Sequence, residues 1–280
     1  MKLFITNISV KKRLFYCIVN GKKEAFYLSN RLAKTFFGVL EKGMLVDFEV
    51  GNKTIKKHGD TTYFVYPVIY FNTITSLNPK KEIYNLKELR KDMKEVLTQH
   101  QYFLFLDCEM SMPGYKQTKF TPEIIQVGFI LSDINGKVYE DMGYYVLPNN
   151  EEAINKRTIK FLNLDEIEFF GKAKPYHVFY HDLKKLMEKY QPKIVVWGKN
   201  DIQAINLGYV INDMQPVTEE KDFIDLLKLH KDYFNLQNDI KLFDAYKKYY
   251  DADDSLVQVH NARTDAIITK DVFDAFIQQM

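Results

Sequence analysis

The sequence predicts an α/β chain built in two parts: a small β-barrel over residues 1–80 and a larger domain with a mixed sheet over residues 81–280. Three observations carry this expectation. Roughly the first 75 residues run in short, alternating apolar and polar stretches separated by tight polar links. From Tyr102 the apolar runs lengthen into three strands joined by short links. Beyond Tyr176, helical stretches alternate with the buried strand KIVVWG (193–198), an order that suits a sheet with parallel as well as antiparallel neighbours.

In the first part, LFITNISV (3–10), LFYCIV (14–19) and EAFYL (24–28) are three strands. Asn20-Gly21 supplies the positive-φ pair of a tight hairpin. Asn30 is suited to cap a helix through RLAKTFFGVL. MLVDFEV then puts Val46, Phe48 and Val50 on one face and Asp47 and Glu49 on the other, and TTYFVYPVIY is a fifth extended run. Pro67 within it implies an edge or a bulge. Three strands, a helix and two strands is the order of an OB-type barrel, and KGMLVDFEV resembles an OB or cold-shock strand. A plain barrel whose aromatics form its core fits the same pattern. SLNPKKE (76–82) interrupts it, so the domain boundary is expected near residue 80, before a helix with Leu86, Leu89, Met93, Val96 and Leu97 along one stripe.

The second part opens with FLFLD, EIIQVGFIL and YYVL, with a turn at Asn135-Gly136. Helices are expected over HVFYHDLKKLMEKY, DIQAINLGYV, LLKLHKDYF, KLFDAYKKYY and TDAIITKDVFDAFI. No internal repeat or low-complexity tract interrupts them.

Composition narrows the class. With 280 residues, 46% of them apolar, the chain can bury a substantial core. Lys and Arg number 39 against 37 Asp and Glu, so a nucleic-acid partner has to be held by a local basic surface. Two cysteines, Cys17 and Cys108, make neither a disulfide framework nor a thiolate zinc site and point to a reducing compartment. MKLFITNISV has no continuous apolar h-region, and no stretch is long enough to span a bilayer, so a cytoplasmic location without membrane contact is expected.

The chemistry concentrates in three segments. FLFLDCEM (103–110) ends in two carboxylates, Asp107 and Glu109, which a strand's period of two puts on one face. Alone, the pair reads as a hydrated strand end. KIVVWGKND delivers Asp201 to the start of a helix, where an N-cap or first-turn acid is ordinary. In VHNARTDA, residues five apart on a helix differ by about 140°, so His260 meets Asp265 only from the loop before the helix. Together, the four carboxylates can surround two hard cations such as Mg²⁺ or Mn²⁺. A pair of these about 4 Å apart activates a water at a phosphodiester while a nearby histidine takes its proton.

The acids Asp107, Glu109, Asp201 and Asp265, closed by His260 in H-x4-D, resemble the DEDDh family of 3′-to-5′ exonucleases, which includes RNase T, oligoribonuclease and the polymerase proofreading subunit. The resemblance covers roughly residues 101–280 and is supported by PEIIQVGFIL, WGKND, FIDLLKL and HNARTDA. It implies an RNase H-like fold and two-metal hydrolysis of single-stranded RNA or DNA from the 3′ end, releasing nucleoside 5′-monophosphates. Asp107, Glu109 and Asp265 would hold the first metal, with Asp107 bridging and Asp201 supporting the second, and His260 would be the general base. Met110 and Ser111 stand where oligoribonuclease-like members have Met and Thr, which implies contact with the terminal nucleotide. Met112-Pro113 departs from the Gly-Leu of many members. DCEM and WGKND resemble RNA-trimming members, which favours RNA over DNA. The alternative is a catalytically silent nucleic-acid-binding or scaffold protein on the same fold.

Other candidates are weaker. His177 and His181 lie one helical turn apart without a third zinc ligand, and DADDS (251–255) lacks the central Gly and terminal Glu of a calcium loop. Lys11-Lys12-Arg13 and Lys22-Lys23 flank the first hairpin and either line a backbone-tracking groove or form a solvated face.

Overall fold

The computed structural model describes residues 1–77, 79–115, 119–236, 238–250 and 260–280. By contacts the chain divides into two compact units, Met1–Lys94 with Asn235–Gln237, and Glu95–Phe234 with Asn238–Met280. Among the described residues, no helix is long and apolar enough to cross a membrane.

The first unit comprises β1 (Lys2–Ser9), β2 (Leu14–Val19), β3 (Lys22–Tyr27), α1 (Asn30–Phe36), β4 (Leu45–Val50), β5 (Thr54–His58), β6 (Thr61–Leu77) and β7 (Lys80–Asn85). Strands run in the order β3-β2-β1-β4-β6, and parallel pairing of β3 with β6 closes a five-stranded barrel. With α1 between β3 and β4, the connectivity is compatible with an OB-type barrel. The inward positions carry Phe15, Phe26, Phe48 and Phe71, all fully buried. Their rings meet at centroid distances from 4.9 to 5.9 Å. Asn20 and Gly21 take φ of 50° and 75°, as the hairpin requires.

Two features differ from the expectation, and Pro67 takes the second of its two alternatives. Ser29, not Asn30, caps α1, its hydroxyl accepting from the Leu32 N–H. Pro67 is not at an edge, because β6 pairs with both β3 and β4; its carbonyl accepts from the Gly51 N–H, beside a bulge at Ile69. β5 and β7 are additional strands. TIKKH is exposed throughout and KKEIYN nearly so, and a strand held by backbone pairing to β6 needs no apolar alternation. Through that pairing β7 joins the first unit, which by contacts extends to Lys94, inside α2 (Leu86–Thr98).

The second unit continues with β8 (Tyr102–Met110), β9 (Ile124–Asp133), β10 (Val138–Leu147), α3 (Lys156–Leu162), α4 (Glu166–Lys172), β11 (Lys174–Pro175), α5 (Tyr176–Tyr190), β12 (Lys193–Val196), α6 (Asn200–Ile211), β13 (Phe223–Asp225), α7 (Leu226–Phe234), α8 (Leu242–Tyr249) and α9 (Ala262–Gln279). The sheet order is β11-β10-β9-β8-β12-β13. β8, β9 and β10 form an antiparallel meander, while β12 and β13 add in parallel on the other side of β8. β8 is therefore central and buried on both faces. Leu104, Leu106 and Cys108 join one core cluster with Phe179 and Leu183 of α5 and Ile205 and Tyr209 of α6. Phe103 and Phe105 face the other way, 4.8 and 5.4 Å from the Phe273 ring of α9. Asp107 and Glu109 continue this second row, toward α9.

Two glycines set how closely α9 approaches. Gly128 on β9 and Gly143 on β10 are cross-strand partners. A Cβ at Gly128 would lie 2.3 Å from the backbone of Ala262 and Arg263, and one at Gly143 would lie 2.6 Å from the Arg263 Cβ. The first turn of α9 thus rests directly on the sheet. The Arg263 guanidinium, bidentate on Asp141 at 2.6 Å, and the Ala262 N–H, donating to Gln126 Oε1 at 3.0 Å, hold it there. Because backbone cannot yield as a side chain would, Gly128→Ala is expected to destabilise the chain by about 1–3 kcal/mol or more. Gly171→Ala, on α4 with nothing within 4 Å, is expected to be neutral or slightly stabilising. Urea denaturation of the two variants checks this, and equal midpoints would contradict the close docking.

Candidate active site

Five residues singled out in the sequence converge at the end of β8. Asp107 and Glu109 are its last two same-face residues before a register shift between Glu109 and Met110. β12 ends at Val196, and Gly198, at φ 95°, turns the chain into α6. Lys199 occupies the N-cap position, so Asp201 is a first-turn residue and does not cap the helix. Its Oδ1 instead crosses to β8 and accepts from the Cys108 N–H at 2.9 Å. Asn261 caps α9 by accepting from the Thr264 N–H at 3.1 Å, which puts Asp265 in the first turn. His260 lies before the helix. Its Nδ1 is 3.7 Å from Glu109 Oε1, and one ligand atom each of Glu109, His260 and Asp265 lie within 4.8 Å of one another.

The electrostatics of this cluster are those of crowded like charges. Glu109, Asp201 and Asp265 are 8%, 5% and 5% exposed. Burial, and then the charges of Asp201, Glu109 and Asp265, hold the Asp107 carboxyl well above the usual carboxylate range. Burial raises Glu109 to about 7, with Asp265 and Asp201 adding to it. Burial raises Asp201 as well, although the Cys108 N–H partly offsets it. A set of buried carboxylate oxygens whose dominant neighbours are other carboxylates suits a hard divalent cation, which removes the repulsion and accepts oxygen donors. The histidine at its edge adds a group able to take up a proton.

The surroundings tie the cluster to its neighbours and add residues. Ser111, expected to contact substrate, is 4% exposed and its hydroxyl accepts from the Glu123 N–H at 2.9 Å, so it fixes the loop leaving β8. Met110 stays half-buried at the strand end. Met112, where the sequence departs from the family pattern, is fastened to the start of α3: its N–H donates to the Thr158 hydroxyl at 2.9 Å, and the Asn155 amide donates to its carbonyl at 2.7 Å. Phe161 of α3 stacks on the His260 ring at 4.6 Å although 46% exposed. Gln126, Gly128, Asn155, Thr158 and Phe161 were not singled out from the sequence. Asn155 carried a usable signal, since Asn before a helical run is a capping residue, and it caps α3. His177 and His181 are exposed on α5 with rings 6.3 Å apart, and among the described residues no third ligand joins them. The DADDS segment lies outside the described residues.

No protein-family model matches the sequence, and no curated protein matches it. Solved structures do. The nuclease domain of 3′hExo, a DEDDh family member bound to rAMP, aligns with a TM-score of 0.54 at 14% identity, over 64% of this chain and 93% of that one. A full-length 3′-exonuclease aligns at 0.54 and 15% identity, over 64% and 83%. Exonuclease I of E. coli in complex with a dT13 oligonucleotide aligns at 0.50 and 18% identity, over 62% and 40%. Over about two thirds of its length, this chain has the fold of the DEDDh 3′-exonucleases.

Proposed function

We propose that the chain is a divalent-metal-dependent 3′-to-5′ exonuclease that trims single strands, RNA in preference to DNA, to nucleoside 5′-monophosphates in a reducing, cytoplasmic compartment. The observation that carries this reading is the convergence of four carboxylates and one histidine at the end of β8, in a cluster whose own charges oppose one another. The likeness to 3′hExo with rAMP and to exonuclease I with dT13 supports the substrate class, and a further 3′-exonuclease structure concerns recognition of a histone mRNA 3′ end.

Asp107, Glu109 and Asp265 would hold one Mg²⁺ or Mn²⁺, and Asp107 with Asp201 the other. When bound, such a pair supplies Lewis-acid stabilisation of the reacting phosphodiester and a more acidic water. The protein's own part is positional. The Cys108 N–H aims the Asp201 carboxylate, and the docked first turn of α9 aims Asp265. His260, with Nδ1 turned to the cluster, accepts the proton of the attacking water. Its ring orientation comes from the Phe161 stack. Met110 and Ser111 would touch the terminal nucleotide, with the Ser111 hydroxyl also accepting from the Glu123 N–H at the start of the loop after β8.

Two outcomes test this. On 5′-labelled single-stranded RNA and DNA of equal sequence, a one-nucleotide ladder shortening from the 3′ end is expected with Mg²⁺ or Mn²⁺ and not with EDTA. Asp107→Ala should abolish it while the protein stays folded by circular dichroism. Wild-type turnover in EDTA rejects the metal dependence, and no hydrolysis with either metal rejects the enzyme in favour of a silent nucleic-acid-binding or scaffold protein.

His260 separates proton transfer from metal binding. A base acts only when unprotonated, so the single-turnover rate at saturating metal should rise with pH and level off. His260→Ala should remove that limb and slow the reaction about 10²- to 10⁴-fold with metal affinity little changed. An unchanged pH–rate profile in the variant contradicts the assignment.

A further inference from the structure

The near-neutral formal charge of the chain conceals a segregation. Residues 1–94 contain 18 Lys and Arg against 8 Asp and Glu, whereas residues 95–280 contain 21 against 29. The formal +2 is thus about +10 on the barrel unit and −8 on the remainder. Self-repulsion of that size opposes folding of a small barrel, so the excess is a cost unless an anion relieves it.

On the barrel the cations are not dispersed. Lys12 donates to the Tyr63 hydroxyl and lies 4.6 Å from that ring's centroid. Arg13 and Lys56 lie 5.1 and 5.0 Å from the Tyr27 ring, and Lys23 lies 4.8 Å from Tyr16. Lys56 and Tyr63 are cross-strand partners in the β5–β6 hairpin, so these contacts join into one patch spanning the β1–β2 turn, the outer face of β2–β3 and that hairpin. The three tyrosines are half-exposed, and none is among the phenylalanines that fill the barrel. The nearby acid Glu24 is occupied by Lys53 at 2.8 Å. The barrel therefore has two aromatic systems: an inner one that packs it, and an outer one interleaved with lysines that packing does not explain.

We propose that this outer face binds single-stranded nucleic acid, with Lys12, Arg13, Lys23 and Lys56 meeting phosphates and Tyr16, Tyr27 and Tyr63 stacking unpaired bases. The residue types are those of a sequence-tolerant single-strand site: cations follow the backbone, and aromatic rings accept any base. The inference rests on the first unit alone and holds whether or not the second unit hydrolyses its ligand.

The test is fluorescence anisotropy of the full chain in EDTA with labelled dT20 and a 20-base-pair duplex. Lys23→Ala/Lys56→Ala should weaken dT20 binding about 10-fold and reduce the slope of log K against log salt by about 1.4, the share of two phosphate contacts on a single strand. Lys80→Ala/Lys87→Ala, the same charge change outside the patch, should stay within about two-fold of wild type. Tyr27→Leu/Tyr63→Leu should weaken dT20 binding about 10-fold or more and leave the duplex unchanged. Thermal melts of every variant identify any loss of folding; the lysines at 23 and 56 are exposed, so that pair stays informative. Equal losses from the two lysine pairs, or no loss from the first, overturn the site. Equal losses on duplex and single strand from the tyrosine pair overturn base stacking and leave a generic polyanion surface.

Discussion

Four carboxylates brought together at the end of a buried strand are an unfavourable arrangement, and much of the second unit is organised around imposing it. β8 supplies two of them because it is central and apolar on both faces, so its last residues cannot turn away into solvent. The third, Asp201, is drawn in by a hydrogen bond to β8's own backbone. The fourth arrives on α9, whose hydrophobic row against Phe103 and Phe105 fixes its course along the sheet. Each element contributes packing energy that offsets the repulsion concentrated at one point.

The docking of α9 has the tightest tolerance. A pair of cross-strand glycines lets helix backbone touch sheet, and Gln126 holds the first N–H of the helix from β9, directly opposite Glu109 in the ladder. The same strand pair therefore positions both halves of the cluster. His260 depends on this geometry without belonging to the helix: it precedes the cap residue Asn261, and Phe161 from α3 restrains its ring. The loop after β8 is tied to α3 through Met112, so the rim and the histidine share one support.

Much of this was legible in the sequence, and the reasons are physical. Long runs with a clear period, such as FLFLDCEM and TDAIITKDVFDAFI, declare both element and buried face because burial itself imposes the period. The five cluster residues were legible because two carboxylates closing an apolar strand, followed by Asp201 and by His260 five residues before Asp265, match the order of a known family's motif; first-turn acids alone are too common to mark them, as Glu88, Glu166 and Asp244 show. β5 and β7 were not legible, since strands held by edge pairing need no apolar pattern. The partner of the Ser111 hydroxyl, the Glu123 N–H, was not legible because it lies across a bend that sequence does not display. Phe161 gave no signal: an exposed phenylalanine on a short helix has no reason to stand out until the ring beside it is known. The close approach at Gly128 was equally hidden, because a glycine in a strand has several causes and only the neighbouring backbone decides among them.

The central claim is that the carboxylate cluster is a charge-frustrated site whose repulsion a bound cation would relieve, and stability against pH addresses it directly. Glu109 is raised from its ordinary 4.5 to about 7, so folding takes up a proton between those values, and stability falls as pH rises through that window. A shift of that size is worth about 3 kcal/mol. The measurement is urea denaturation of wild type and Glu109→Gln from pH 4.5 to 8, in EDTA and in saturating Mn²⁺. In EDTA the variant should match wild type at pH 4.5 and become progressively more stable than it toward pH 8. In Mn²⁺ that advantage should vanish or reverse, because wild type gains the stabilisation of a bound ion. A constant difference across pH, or no effect of metal on wild type, would contradict the account.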